Sequence, residues 1–247
     1  MTKTILIIGS SYGIGKELAR QLDKPENNLF LCSRSLAKLQ ELQSSIKCQS
    51  NIFSCDITQE KELKKLHKDI LKITTNIDLI IFCAGIYEPM NINNFNKKKA
   101  DEIIDINLTG FINFFSVFLK SFKDSDIGQL VVLSSIAGYF GMSNSLAYGA
   151  SKAALSNLTE SLFYELQEYG TKVQLVNPGF VKTRLTAKNK FKMPNIISKE
   201  EAAKIIIKNL NKNKFEIKFP FIFASFMKLL AVLPYKFRLN FLKYVTK

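Results

Sequence analysis

Residues 3–22 read KTILIIGSSYGIGKELARQL. The apolar run from Ile5 to Ile8 has the composition of a strand and stops at glycine and serine. Ile14, Leu18 and Leu22 then recur at helical spacing, so the period changes from strand to helix across one short turn. Within that turn Gly9, Gly13 and Gly15 form a G-x-x-x-G-x-G pattern, with Ser11, Tyr12 and Ile14 between them. Glycines let the backbone turn tightly and approach a ligand closely. The helix start behind them offers free N–H groups and a partial positive charge, which suits a pyrophosphate. The spacing differs from the G-x-G-x-x-G fingerprint, but the mechanics are the same. This order of elements predicts a dinucleotide-binding βα unit at the start of an α/β domain.

The rest of the chain repeats the alternation. NLFLCS (28–33), SNIFSC (50–55), IDLIIFCAG (77–85), GQLVVLSS (128–135), KVQLVNPG (172–179) and KFEIKFP (214–220) read as further strands. Helical patterns fill residues 35–46, 59–73, 100–122, 146–170 and 199–210. Near-continuous apolar strands separated by helices predict a Rossmann-type, doubly wound parallel sheet of about seven strands with helices on both faces. No Pro/Gly/Ser-rich linker divides the chain. Residues 1–220 are expected to form one catalytic domain, and 221–247 an apolar, basic C-terminal extension.

Composition narrows the chemistry. With 247 residues, 47% hydrophobic and 23% charged, the chain has the balance of a globular domain. The first apolar run is too short for a signal peptide. No window offers about 20 consecutive apolar residues for a membrane span. Cys32, Cys48, Cys55 and Cys83 contain no C-x-x-C pair and read as free thiols of a reducing, cytoplasmic setting. The sole histidine, His67, lies on a Lys/Glu-rich helix, which leaves little from which to build a metal cluster or a His-based triad. The net charge of +14 comes from scattered lysines rather than a recognition module, so nucleic acid is not expected as a partner. A small polyanion is.

The second strand suggests which one. Where a carboxylate would bind the ribose 2′-OH of NAD, the chain has Ser33 followed by Arg34. A guanidinium there suits a 2′-phosphate, which favours NADP(H) over NAD(H). After the third strand, Asp56 and Ile57 are placed to meet the adenine, although Asp56 would look the same as a helix N-terminal acid. Further on, LAYGASKAAL (146–155) sets Tyr148 and Lys152 one helical turn apart. The pair is either a shared helix surface or a phenol tuned for acid–base work by an ammonium. Spacing alone does not choose, because Tyr12 and Lys16 repeat it inside the glycine turn.

Taken together, GSSYGIG (9–15), CAG (83–85), NLTG (107–110), SSIAG (134–138), YGASK (148–152) and NPGFVKT (177–183) resemble the short-chain dehydrogenase/reductase family, in order and in spacing. The resemblance covers residues 3 to about 210. It implies an NADP(H)-dependent oxidoreductase acting on a carbonyl or secondary alcohol. Tyr148 would be the acid/base, with Lys152 lowering its pKa and holding the nicotinamide ribose. Ser135, 13 residues before Tyr148, would bind the developing oxyanion, and Asn107 would organise a water behind Lys152. Strand alternation turns Ser134 the other way. Cys83, Ala84 and Gly85 would lie against the cofactor, and Pro178, Gly179, Val181 and Thr183 would wrap its nicotinamide end. Cys83 departs from the family's usual Asn. The missing C-terminal substrate domain argues against a nucleotide-sugar epimerase. The alternative from another class is a non-catalytic NADP(H)-binding sensor.

The resemblance also implies a substrate lid at about 184–198, here with Lys188, Lys190, Phe191, Lys192 and Met193, and a homodimer or homotetramer built on the two long helices. Phe111, Phe115, Phe118 and Phe122 would serve that interface or the core. Tyr139, Phe140 and Met142 suggest an apolar wall and a lipophilic substrate. In the tail, Pro234 separates two short helical segments. Phe237, Phe241 and Tyr244 would share a face, with Arg238 and Lys243 elsewhere on the helix and Lys247 at its end. Such a segment fits a peripheral membrane contact, a cover over the cleft, or an oligomer contact.

Overall fold

The structure, a computed structural model, describes residues 3–189, 191 and 193–245. Lys190, Lys192 and Lys247, and the side chain of Tyr244, lie outside the described residues. In chain order the elements are β1 (Lys3–Ile8), α1 (Gly13–Gln21), β2 (Asn27–Ser33), α2 (Leu36–Gln43), β3 (Gln49–Ser54), α3 (Glu60–Leu71) and β4 (Leu79–Phe82). Then come α4 (Lys97–Ile104), α5 (Gly110–Lys123), β5 (Gln129–Leu133), α6 (Leu146–Glu165), β6 (Lys172–Pro178), β7 (Val181–Lys182) and β8 (Ile197–Ser198). The chain closes with α7 (Lys199–Leu210), β9 (Glu216–Phe219), α8 (Phe221–Val232) and α9 (Tyr235–Val245).

Seven strands form one parallel sheet in the order β3-β2-β1-β4-β5-β6-β9. Each strand divides its side chains between the two faces with the two-residue period of a pleated backbone. In β1, Leu6 and Ile8 join the cluster under α3, α5 and α6, while Ile5 and Ile7 join the one under α1, α2 and α7. Both faces are buried, which is why these strands read as continuous apolar runs. Phe111, Phe118 and Phe122, with Phe114, lie fully buried in the first cluster and Phe115 packs at its margin, so the phenylalanine row belongs to the core.

The strand order reverses between β1 and β4. In open α/β sheets a crevice opens outside the carboxyl ends of the strands at such a point. The turns after β1, β2, β3, β4, β5 and β6 all converge there.

Two local features differ from the sequence reading. The expected helix over 100–122 is interrupted: α4 passes into a π turn at Asp105–Thr109 before α5 begins. Lys97–Lys123 as a whole is long and apolar enough to cross a membrane, yet its phenylalanines are spent on the sheet. Secondly, β7 and β8 pair in a two-residue ribbon that pins both ends of the expected lid. The tail forms two helices on either side of Pro234, and α8 packs Ala224, Met227 and Leu230 onto Ile136 and Phe140.

Candidate active site

A cleft of about 440 Å3 runs across the carboxyl ends of the strands. Its floor is the glycine turn. Gly9 has φ of +92°, and a Cβ there would meet the Ala84 backbone nitrogen at 2.7 Å. A Cβ on Gly15 would lie 2.3 Å from the Gly9 carbonyl oxygen. The turn can therefore close against β4 only without side chains at these positions. Tyr12 at the N-cap of α1 gives no side-chain hydrogen bond, and the first turn carries no acid. The leading N–H groups of α1 face the cleft with no side chain capping them. Ser11, Tyr12, Gly13 and Ile14 line the same floor.

At the end of the cleft beside β2 and β3 lie Ser33, Arg34, Asp56 and Ile57. Ser33 Oγ is buried with no hydrogen-bond partner among the described residues. Arg34 is largely exposed, and its Nη1 stands 3.8 Å from Asp56 Oδ2. Asp56 Oδ1 accepts from the Thr58 N–H and hydroxyl, at 2.9 and 2.8 Å, so this carboxylate both shapes the turn before α3 and faces the cleft. An orphaned serine hydroxyl beside an exposed guanidinium that Asp56 meets only at 3.8 Å is a donor set short of an acceptor, and a ribose phosphate supplies one. These residues, with the glycine turn, fit NADP(H).

Further along, Cys83, Ala84 and Gly85 leave β4, and the Cys83 N–H donates to the Ile8 carbonyl oxygen at 2.8 Å, tying the exits of the two central strands together. Burial pushes the Cys83 thiol up to about 12, so it is a neutral filler under the cleft. Pro178, Gly179, Val181 and Thr183 line the far wall, where the Thr183 methyl carbon lies 3.6 Å from the position of a Gly13 Cβ.

Ser135, Tyr148 and Lys152 meet at the centre. β5 delivers the serines: Ser134 Oγ donates to the Lys152 carbonyl oxygen at 2.9 Å and shares a 2.7 Å bond with Ser156. Ser135 Oγ instead accepts from the Ala137 N–H at 3.1 Å and lies beside the Tyr148 phenol. The two serines point apart, as alternation requires. Lys152, 4% exposed, donates from Nζ to the Leu133 carbonyl oxygen at 2.8 Å and stands 6.0 Å from the Tyr148 ring centre. Burial is the largest influence on both groups. It pushes the phenol up to about 12 against the downward pull of Ser135, and the ammonium down to about 8. The expected depression of the tyrosine by the lysine does not figure here: desolvation raises the phenol, Ser135 pulls it down and Tyr87 adds to the rise, so the phenol is a protonated donor at neutral pH.

Asn107 does not line the cleft. It sits in the π turn, fully buried, where Oδ1 accepts from the Ile86 N–H at 2.7 Å and Nδ2 donates to the Ile86 carbonyl oxygen and to Ser151 Oγ, both at 3.0 Å. A Cβ on Gly85 would contact both Asn107 Oδ1 and Lys152 Nζ, at 3.3 and 3.4 Å, so Asn107 stands just behind the lysine and braces the strand exit with its side chain, where Cys83 contributes its backbone N–H. The other tyrosine–lysine pair separates: Lys16 Nζ donates to Glu41 at 2.9 Å, away from Tyr12.

Several lining residues carried no sequence signal. The Arg184 guanidinium lies 4.0 Å over the Tyr12 ring. Tyr87 stands edge-on to Tyr148, ring centres 4.8 Å apart, and donates its hydroxyl to Asn189 Oδ1 at 2.7 Å. Lys188 Nζ reaches Glu88 at 2.6 Å, so the lid is clasped to the loop after β4 across the mouth. Phe223 stacks on Phe180, which meets Phe191 edge-on, and with Met142 and Met227 they make this end of the cleft apolar. Only position in three dimensions joins Phe223 and Met227 of the tail to this wall.

Comparison with known proteins agrees with this geometry. A family model described as short chain dehydrogenase matches residues 3–193. An uncharacterized oxidoreductase of Myxococcus xanthus is 31% identical over 235 residues, covering 94% of this chain and 93% of its own. The 3-oxoacyl-[acyl-carrier-protein] reductase FabG of Rickettsia prowazekii is 32% identical, covering 75% of this chain and 76% of its own. The solved structure of ElxO with NADP bound shares the fold at a TM-score of 0.78 and 24% identity, over 90% of this chain and 99% of its own. Fold, cleft and sequence thus lead to one conclusion, that this chain is an oxidoreductase of the short-chain dehydrogenase family.

Proposed function

We propose that the protein is a cytoplasmic, NADP(H)-preferring reductase that interconverts a lipophilic carbonyl compound and its secondary alcohol, with 1–220 as the catalytic domain and 184–198 as its lid. The observation that carries this reading is the meeting of a protonated Tyr148, Ser135 and Lys152 in one cleft whose opposite end holds the orphaned Ser33 hydroxyl and Arg34. The glycine turn and α1 would hold the pyrophosphate, Ser33 and Arg34 the 2′-phosphate, and Lys152 the nicotinamide ribose. When bound, NADP(H) supplies or accepts the hydride.

Tyr148 gives its hydroxyl proton to the carbonyl oxygen as the carbonyl carbon receives hydride, and the Ser135 hydroxyl donates to the same oxygen as charge develops on it. Lys152, with its pKa near 8, is mostly charged at neutral pH and stabilises the phenolate left behind. Tyr87 and the aromatic wall of Phe180, Phe191 and Phe223 keep water from the reacting carbon and favour an apolar chain on the substrate. Exposed Ile112 and Leu119 on α5 and Tyr164 on α6 support a homo-oligomer through these helices.

The test is NADPH consumption against carbonyl compounds ranging from small polar aldehydes to long-chain ketones and 3-ketoacyl thioesters. Turnover should favour the long chains and fall about a thousandfold or more in Tyr148→Phe, with NADPH affinity retained. Full activity in that variant would overturn the role of Tyr148. Tight NADPH binding with no turnover in either direction would leave the sensor as the better reading.

A further inference from the structure

The tail carries more apolar surface than its packing on the body of the chain uses. One side of α8 is spent on the core, where Ala224, Met227 and Leu230 are buried. Along the opposite side Ile222, Phe226, Leu229 and Leu233 recur at steps of four and three, and all are exposed. Ile222 is 83% exposed and Val232 75%. α9 extends the surface with exposed Tyr235 and Phe237. A helix that is apolar all round belongs in a core or in lipid, and a contiguous exposed patch of this kind marks an interaction site.

The charge around the patch identifies the partner. From Ile217 to the C-terminus the sequence has six Lys or Arg and no Asp or Glu. Two of these cations work inside the fold. Lys228 pairs with Glu216, which also accepts from Tyr139 and Asn177. Arg238 donates to the Ala231 carbonyl oxygen and lies over the rings of Phe140 and Tyr235. Together they anchor α8 and α9 to the body. Lys236 and Lys243 stand exposed on α9 and form no ion pair among the described residues. A second copy of the chain would bring like charges into a desolvated seam with no carboxylate to meet them. An anionic bilayer offers both an apolar interior and the opposite charge.

We infer that the outer face of α8 and α9 docks on an anionic lipid bilayer, with Ile222, Phe226, Leu229 and Val232 at the acyl boundary and Lys236 and Lys243 at the headgroup phosphates. Phe223 and Met227, on the inner side of α8, line the cleft, so a single helix, about 10 Å thick, separates the lipid from its apolar end. That bilayer-dissolved carbonyl compounds enter past this helix rests on the reductase reading; the docking does not.

The experiment is sedimentation of the full chain with vesicles of half phosphatidylglycerol and half phosphatidylcholine, and with phosphatidylcholine alone. The protein should partition about tenfold or more in favour of the anionic vesicles and be released by salt. Ile222→Glu with Leu229→Glu, and separately Lys236→Glu with Lys243→Glu, should each weaken partition about tenfold or more while NADPH binding is unchanged. Wild-type protein that stays in the supernatant at low salt, or partition that both double variants preserve, would overturn the inference. So would a dimer, seen by light scattering, that dissociates in the Ile222/Leu229 variant with vesicle partition unaltered. Loss of the reductase reading would appear as absent turnover and would leave the sedimentation result standing.

Discussion

Lys152→Met should make the protein more stable at neutral pH while removing its activity. Lys152 is buried, and its ammonium has one hydrogen-bond partner, the Leu133 carbonyl oxygen. Desolvation lowers its pKa from 10.5 to about 8. The penalty on the charged form is fully present below pH 8 and is relieved as the pH rises towards 10.5, because in that window the unfolded chain binds the proton and the folded chain does not. At about 1.4 kcal/mol per pH unit, the penalty at pH 7 is roughly 3 kcal/mol. Methionine keeps the aliphatic stem but leaves the Leu133 oxygen unpaired, which costs about 1–2 kcal/mol. The net gain at pH 7 is therefore about 1–2 kcal/mol, or a rise of roughly 4 °C in Tm for a chain of this size. By pH 9.5 most of the penalty has gone from the wild type, and the two proteins should melt together. Tyr148 acts with the opposite sign, since its raised pKa adds stability that is present below pH 10 and lost towards pH 12, but it is common to both proteins. Thermal melts of cofactor-free protein at pH 7.0, 8.5 and 9.5 give the comparison, the first below the window that opens at about pH 8 and the other two inside it. A variant that melts below wild type at pH 7, or a difference that does not change with pH, would refute the reasoning.

Two further outcomes follow from the two ends of the cleft. On the proposed reading, in which the exposed guanidinium meets the 2′-phosphate in a partly solvated setting, Arg34→Ala should raise the KM for NADPH about tenfold and leave that for NADH unchanged; steady-state kinetics with both cofactors decides it. Asn107→Ala takes from the part-buried Ile86 N–H its acceptor and from Ser151 one of its partners, and should cost about 2–4 kcal/mol, read as a lower urea midpoint, with kcat reduced more than NADPH affinity. An unchanged midpoint would show that the π turn holds the strand exit without it.

The parts of this fold that were legible in sequence are those set by backbone demands. The glycine turn at 9–15 announces itself because two of its positions cannot hold a Cβ, and the seven sheet strands are visible because burial on both faces leaves them no polar alternation. The turn at 105–109 was hidden for the converse reason. A π turn uses the same residues as an α-helix, so DINLT sits in helical periodicity without a breaker, and only the coordinates show Asn107 turned to the Ile86 backbone. The tyrosine–lysine spacing was legible too, but its electrostatics were not: sequence distance predicts an ammonium acting on a phenol, whereas burial, a tertiary property, governs both groups.

That division also separates the two ends of the cleft as pieces of engineering. On the proposed reading the cofactor end is made of backbone: a turn that admits no Cβ at Gly9 or Gly15, an uncapped helix end and strand exits locked by Cys83 to Ile8. Its ligand is the same charged scaffold in every turnover, and a rigid array of N–H groups suits such a ligand because nothing has to reorganise when it binds. The substrate end is made of side chains from segments far apart in sequence, Tyr87 after β4, Phe180 after β6, Phe191 in the lid and Phe223 in the tail. None of these is held by a requirement of the fold itself, since a two-residue ribbon and the clasp of Tyr87 to Asn189 are what close the lid. Changing the wall therefore leaves the sheet and its phosphate turn intact. On the proposed reading this predicts a particular division of labour under mutation: substitutions at 87, 191 and 223 should redistribute kcat/KM among carbonyl substrates with NADPH affinity unchanged, because the two ends share only Ser135, Tyr148 and Lys152 between them.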